Sequence, residues 1–297
     1  MTPKHTLDVS FKLELVIDIY VNTICQYKCP YCCARASLPW GKMMTDSQMQ
    51  MILAGLKRCK HKVALNILGG EPTLHPKLKW FIESLVAIDN VGACCLVTNA
   101  LKDPPQIDNP KFVIRPSWHP TECSDDQFLK YIAQYNNKIV DPVIITLNKF
   151  KERAVHVIKT IQEQYPHISP VPTAVVHGDA VIKYDDSVGG VPELILDGNA
   201  YTHNQLAALG LNKFQGWRCM MVSFSITPSG LITMACKSLG NLNIVDFLAN
   251  ISPQWVTCDK QYCSDDCHLA SPKYLGFDAD YEALNSQRVQ HPEYRRL

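Results

Sequence analysis

The sequence predicts an α/β chain, a partial (β/α)6 TIM-type barrel followed by a small C-terminal extension of β-hairpin and helix. Three observations predict it. Apolar segments with strand periodicity alternate with amphipathic helical segments from residue 13 to about 177. That rhythm stops near residue 180, where short β patterns and loops take over. The 13 cysteines are unevenly placed, with a tight group at 25–33 and five beyond residue 218. Strands alternating with helices imply a parallel sheet joined by right-handed crossovers. Six units suit a partial barrel better than a closed eight-unit one. The expected division is 1–180 for the barrel and 181–297 for the extension.

Each element has a local reason. Residues 13–22 place Leu13, Leu15, Ile17, Ile19 and Val21 on one side, the period-two signature of a strand. A cysteine-rich loop follows at 23–36. Thr45-Asp-Ser-Gln48 is a capping-box pattern, and Met49, Ile52, Leu53 and Leu56 behind it share one helical face. Residues 63–68 read as the second strand, ending at Gly69-Gly70, and Leu78 to Ile88 as a helix. Residues 92–98 read as the third strand, Pro104-Pro105 as a loop and 112–117 as the fourth strand. A helix at 125–136, a strand at 142–148, a helix at 150–164 and a strand at 171–177 complete the barrel. In the tail, 202–210 has helical character. Residues 222–236 read as a hairpin turning at Pro228-Ser229-Gly230.

Composition narrows the function classes. Hydrophobic residues are 46% and charged residues 19% of the 297, enough apolar surface to bury a core. The formal net charge is +1, so no global field draws nucleic acid or an anionic membrane. No apolar run reaches bilayer length, and the first residues lack the apolar stretch of a signal peptide. The expected location is the cytoplasm. In a reducing compartment clustered cysteines read as metal or iron–sulfur ligands rather than disulfides.

Cys25, Cys29 and Cys32 form a C-x3-C-x2-C loop at the end of the first barrel strand. A structural zinc site asks for four ligands, which would need Cys33 or a distant residue. A [4Fe–4S] cubane held by three thiolates leaves one iron open to an outside ligand. Downstream, Leu68-Gly69-Gly70-Glu71-Pro72 closes the second strand, with two glycines that expose backbone for close approach and a carboxylate as a charge partner.

In these residues the chain resembles the radical S-adenosylmethionine (SAM) superfamily. Cys25, Cys29 and Cys32, with Tyr31 in the aromatic place, match its C-x3-C-x-aromatic-C signature, and Gly69-Gly70-Glu71 matches its GGE motif. The resemblance implies that the three cysteines bind a [4Fe–4S] cluster whose open iron is chelated by SAM. Reductive cleavage of SAM then gives a 5′-deoxyadenosyl radical that abstracts hydrogen from the substrate. Barrel sites lie at the C-terminal ends of strands. Position therefore adds Asn99, Ser117, His119, Asn148 and Val176 to Tyr31, Gly69, Gly70, Glu71 and Pro72 as SAM contacts. His119 and Cys123 are the candidates for a direct catalytic role.

Cys219, Cys236, Cys258, Cys263 and Cys267 follow the layout of the auxiliary-cluster extension called SPASM, or twitch in its one-cluster form. The two-cluster pattern has seven cysteines and this tail has five, so the resemblance implies one auxiliary [4Fe–4S] cluster. Cys219, Cys236 and Cys267 are its first three ligands, with Cys263 and Cys258 competing for the fourth place. A zinc site on the same residues is the alternative.

The resulting expectation is a radical SAM oxidoreductase acting on a peptide or protein side chain, served by a flavodoxin- or ferredoxin-type electron donor. A small-molecule dehydrogenase, acting on a sugar alcohol or nucleoside-like substrate, is the second reading. A non-enzymatic iron–sulfur electron carrier and a zinc-stabilised binding module are the readings of other classes.

Overall fold

The structure is a computed structural model that describes residues 5–9, 15–32, 38–174, 176–177, 180–181, 194–201, 205–206, 209–234, 237–259, 261, 263 and 273–275. The chain divides into two compact units that interleave along the sequence. One holds residues 15–175 and 223–252, the other 1–14, 176–222 and 253–297.

The first unit is the barrel. Its parallel strands are β2 (Leu15–Tyr20), β3 (Val63–Leu68), β4 (Val91–Thr98), β5 (Phe112–Trp118), β6 (Val143–Thr146) and β7 (Val171–Ala174). They pair in sequence order, each strand parallel to the next. The six-strand parallel order expected from the alternation is present. The fifth strand is shorter than the pattern suggested, because Asn148–Phe150 turns into a 3-10 helix.

The helices are α1 (Asp46–Arg58), α2 (Leu78–Val86), α3 (Asp125–Tyr135) and α4 (Lys151–Gln164). α1 starts at the capping box read from the sequence. Gln48 N donates to Thr45 Oγ1 and Thr45 N donates to Gln48 Oε1. Its buried face is Met49, Ile52, Gly55 and Leu56, three to four residues apart. The sheet's helix-facing side is apolar and sealed: Ile17, Ile19, Val63, Ile67, Cys94 and Leu96 have no more than 1% exposure. Packing this side against the helices excludes water from one face of the sheet and leaves the other free to line a lumen.

The hairpin expected at 222–236 does form, but as part of the barrel sheet. β13 (Ser223–Ile226) pairs antiparallel with β14 (Ile232–Met234) across Gly230, whose φ of +80° suits a residue without Cβ. β13 also lies parallel to β2, with Ser225 opposite Asp18. β15 (Lys237–Gly240) extends the edge, and α5 (Ile244–Asn250) packs on α1.

The second unit is built on a six-stranded sheet. Its strands are β1 (His5–Val9), β10 (Leu194–Leu196), β11 (Asn199–Tyr201), β12 (Arg218–Met221), β16 (Gln254–Thr257) and β17 (Lys273–Leu275). Their order across the sheet is β11, β10, β1, β17, β12, β16. A two-stranded ribbon, β8 (Val176–His177) and β9 (Ala180–Val181), belongs to the same unit. The residues before the barrel thus form a strand, β1, that pairs with β10 and β17. Only residues 205–206 of the helix expected at 202–210 are helical among those described.

Candidate functional site

The cysteine loop leaves the end of β2 and is fastened to the end of β3. Val21 N donates to Leu68 O, Gly70 N to Asn22 O and Glu71 N to Ile24 O, at 2.8–3.1 Å. The fully buried Asn22 adds a side-chain link, its Nδ2 donating to Glu71 O and its Oδ1 accepting from Ile24 N. Thr23 closes the far end of the loop by donating to Pro39 O and accepting from Lys42 N. These fastenings explain the two glycines. A Cβ on Gly69 would stand 2.7 Å from Asn22 O, and one on Gly70 would stand 2.4 Å from Ile24 O. The glycine pair is what lets the cysteine loop lie on the strand end.

Glu71 is fully buried, and both its oxygens are engaged. Oε1 accepts from Thr73 N, Thr73 Oγ1 and Thr98 Oγ1, and Oε2 accepts from Asn99 N. The carboxylate therefore caps the 3-10 turn Pro72–Leu74, which begins at Pro72, and ties the end of β3 to the end of β4. Burial pushes its pKa above the ordinary carboxylate range, against the pull of those hydrogen bonds. Just past Asn99, Ala100 has φ +60°, a left-handed conformation costly for a residue with Cβ.

Two of the three loop sulfurs have contacts here, and Cys32 lies within electrostatic reach of both. Cys25 Sγ accepts from Tyr27 N at 3.4 Å and from Asn99 Nδ2 at 3.7 Å. Cys29 Sγ lies 3.6 Å from His119 Nδ1. Burial raises both thiols, Cys29 to about 11, with the neighbouring cysteine sulfurs adding to the effect. His119 follows the last residue of β5, its ring parallel to Tyr31 at 6.0 Å and edge-on to Tyr27 at 5.9 Å. Burial lowers its pKa to about 4, so the imidazole is neutral at neutral pH. Tyr31 OH lies 3.4 Å from His119 Nδ1 and from Thr121 Oγ1.

Among the described residues no three His, Cys, Asp or Glu side chains close on a point that a single metal ion could fill. A cubane asks for wider spacing, because each cysteine binds a different iron. The residues fit that demand. Three cysteines of one loop come within electrostatic reach of one another, and donors are already aimed at two of the sulfurs. Beside Cys25, both amide atoms of Gln26 are buried without a hydrogen-bond partner, as expected where a bound group completes the shell.

Below the strand ends the lumen-facing side of the sheet carries a polar band. Asp18 and Asn66 are opposite each other on β2 and β3, with Asn66 Nδ2 donating to Asp18 Oδ1 at 2.9 Å. Cys95 continues the row on β4, and Arg115 of β5 pairs with Asp141 at 3.6 Å. Cys95 feels all three charges: burial raises its pKa, Arg115 lowers it, and Asp141 and Asp18 raise it. Several lumen-facing residues (Val16, Asn66, Val97, Arg115 and Ile145) are half-buried, whereas helix-facing ones are sealed. The lumen-facing side is therefore less completely covered than the helix-facing one, although Asp18, Ala64, Cys95 and Ser117 on it are buried.

The remaining expected residues fall as follows. Ser117 is buried at the lumen side of β5. The Asn148 backbone opens a 3-10 turn and Val176 lies in β8, while the side chains of both fall outside the described residues. Cys123 is buried, donates to Ser124 O, and has its pKa raised by burial, which disfavours a thiolate. Arg153 holds its loop, donating to Asp125, Pro120 O and Cys123 O. In the tail, Cys219, Cys258 and Cys263 are buried. Cys236 and Cys267 lie outside the described residues. Sequence reasoning passed over Asn22, Gln26 and Asp18. The only available signal was a polar residue where strand periodicity called for an apolar one, or a loop position with no pattern.

The model of the Radical SAM superfamily matches residues 19–162, the segment that runs from the end of β2 into α4 and carries the cysteine loop and the glycine pair. Residues 19–162 form a radical SAM domain. A radical SAM domain implies an enzyme with a [4Fe–4S] cluster and SAM. Two solved structures share the fold. One is native anSMEcpe with bound AdoMet and Kp18Cys peptide, 16% identical over 78% of each chain with a TM-score of 0.52. The other is Streptococcus suis SuiB bound to precursor peptide SuiA, 15% identical over 86% of this chain and 66% of that one, with a TM-score of 0.50. No curated protein matches the chain. No described helix is long and apolar enough to cross a membrane.

Proposed function

We propose that this radical SAM chain performs an oxidative modification of a peptide or protein side chain. The observation that carries the reading is the constellation at the ends of β2 to β5. A three-cysteine loop with donors on two of its sulfurs is pinned to Gly69-Gly70-Glu71, at the strand ends above a polar band on the lumen-facing side of the sheet. Cys25, Cys29 and Cys32 are the ligands of the cluster. When bound, that cluster supplies the electron that cleaves SAM into methionine and a 5′-deoxyadenosyl radical able to take hydrogen from a substrate.

The chain's own residues bind and orient. The backbone at Gly69 and Gly70, with Tyr31, Pro72, Asn99, Ser117 and Asn148, forms the SAM contact set within the barrel unit. Asp18 with Asn66 on one side, and Arg115 on the other, offer the substrate an acceptor and a donor inside the lumen. The two peptide-bound structures with the same fold favour a peptide over a small molecule.

The tail is assigned one auxiliary [4Fe–4S] cluster, suited to accepting an electron from an oxidised substrate. Support comes from β12 and β16. Cys219 pairs with Val256, and Cys258 N donates to Trp217 O. Cys219 and Cys258 therefore share a face as diagonal neighbours. Cys263 packs in the same small core as Cys258, with Leu206 and Phe214. Cys219, Cys258 and Cys263 are its proposed ligands, and the remaining thiolate comes from Cys236 or Cys267. The electron donor is a flavodoxin or ferredoxin type.

The test is anaerobic reconstitution followed by iron and sulfide counts, and by measurement of 5′-deoxyadenosine from SAM under a strong reductant. About eight irons per chain with deoxyadenosine formation supports both clusters. Iron without any deoxyadenosine overturns the radical SAM enzyme reading, and about four irons removes the auxiliary cluster.

A further inference from the structure

His119 was expected at the SAM or the substrate. Its geometry points elsewhere. Nδ1 lies 3.6 Å from Cys29 Sγ, within reach of a hydrogen bond to sulfur, and 3.4 Å from Tyr31 OH. A cysteinate is an acceptor only, so the ring nitrogen that faces it, Nδ1, is the one that carries a proton. Tyr31 OH reaches the same sulfur and is tethered by Thr121. The imidazole is held in place rather than left to swing. Tyr31 stacks on one side of it, Tyr27 meets it edge-on, and its own carbonyl accepts from Glu122 N and Cys123 N. Asn99 repeats the arrangement on a second ligand. Its Nδ2 lies 3.7 Å from Cys25 Sγ, its Oδ1 accepts from Leu101 N, and its backbone N–H is fixed by Glu71.

We propose that His119 and Asn99, with Tyr31, are positioning residues that donate hydrogen bonds to the cluster-ligating sulfurs of Cys29 and Cys25 and so make the cluster easier to reduce. The proposal rests on the reading of Cys25, Cys29 and Cys32 as cluster ligands. Hydrogen bonds to cluster sulfurs stabilise the more negative, reduced state and raise the reduction potential. Charge-assisted bonds of this kind are the strong ones. Two strand ends, β4 and β5, thereby set the electronics of a loop that leaves β2.

The test is a one-electron redox titration of the reconstituted protein, followed by EPR, in the absence of SAM so that no SAM contact contributes. His119→Phe keeps the aromatic ring between Tyr31 and Tyr27 and removes the donor. His119→Asn keeps a donor at the δ position and removes the ring. His119→Phe and Asn99→Ala are each expected to lower the reduction equilibrium about tenfold, about 59 mV for one electron, at unchanged iron content. His119→Asn is expected near the wild-type value. Where His119→Phe fails to hold iron, Tyr31→Phe carries the same expectation. Wild-type potentials in both His119→Phe and Asn99→Ala overturn the proposal. So does a shift in His119→Phe that appears only with SAM bound, which would make His119 a SAM contact. Wild-type protein that assembles no [4Fe–4S] cluster overturns the ligand assignment itself, and the two failures are told apart by the iron count.

Discussion

Gly70→Ala is the sharpest probe of how the cysteine loop is held. An added Cβ would stand 2.4 Å from Ile24 O, 2.5 Å from Ile24 C and 3.0 Å from Cys25 N, all of them backbone atoms. Real Cβ contacts essentially never fall below 3.0 Å and mostly lie beyond 3.4 Å, so the 24–25 segment must retreat by 0.6 Å at least, and more to reach comfort. No side chain can rotate away to absorb that. The retreat stretches the 2.8 Å bond from Glu71 N to Ile24 O past useful length. Overpacking of this kind costs about 1–3 kcal/mol, and a lost buried backbone bond adds about 1 kcal/mol. The expected loss is about 2–4 kcal/mol, read as a lower urea midpoint at unchanged slope. Because Cys25 is the next residue, iron retained after anaerobic reconstitution should fall in parallel. Gly69→Ala, whose nearest obstacle is Asn22 O at 2.7 Å, should cost less. A Gly70→Ala protein within about 0.5 kcal/mol of wild type, the ordinary scatter of neutral substitutions, that also loads iron fully would refute the reasoning that the glycines serve the loop.

Three further outcomes follow from the same geometry. Cys29→Ala should abolish deoxyadenosine formation, and liquid chromatography of a reduced SAM reaction would contradict the assignment if it showed wild-type yield. Arg153→Lys loses the fork that joins Asp125 to Pro120 O and Cys123 O, and it weakens the stacking on Trp118. A point charge cannot replace a planar fork, so thermal or urea unfolding should show a loss of about 2 kcal/mol, and no loss would mean that this loop is held by other contacts. Cys258→Ala should lower the iron count by up to the content of one cluster while deoxyadenosine formation survives; an unchanged count would exclude Cys258 as a ligand.

The barrel was legible because its strands alternate with helices that carry their own start signals. Thr45 and Gln48 form the capping box that their spacing implied, and the periodic face of α1 is the buried one. The motif residues were legible because Cys25, Cys29 and Cys32 crowd into eight positions with Gly69-Gly70-Glu71 one strand later, a combination that neither a plain strand-end turn nor a zinc loop requires. The tail was harder. β1, β10 and β17 are three to five residues long and pair across more than 180 residues of sequence, so no local pattern announces them. The hairpin at Gly230 was visible, but its parallel pairing with β2 was not, because that contact is decided by tertiary packing. Asp18 was hidden for a related reason. A polar residue inside an apolar strand declares its face only when the sheet has curled.

Glu71 shows why the motif is more than a SAM contact. Its four accepted hydrogen bonds pass from β3 through Asn99 to Cys25 Sγ, so one carboxylate orients a ligand donor without touching the sulfur. Glu71→Gln separates the two roles. A glutamine keeps its oxygen toward Thr73 and Thr98, where three donors converge, and turns its NH2 on the Asn99 N–H. Donor then faces donor, and Asn99 must move. The variant also removes a buried charge, which offsets part of the loss in stability. The pH dependence carries the sign. Burial raises the folded-state pKa of Glu71, so the folded chain binds its proton more tightly than the unfolded chain, whose value is about 4.3. Its contribution is therefore fully present below about 4.3 and lost as pH rises through the folded value. The stability gap between wild type and Glu71→Gln should be widest in acid and shrink toward neutral pH, measured as urea unfolding free energy at several pH values. A gap that instead widened with pH would mean that the four donors outweigh burial, and that Glu71 is held as a stabilised anion.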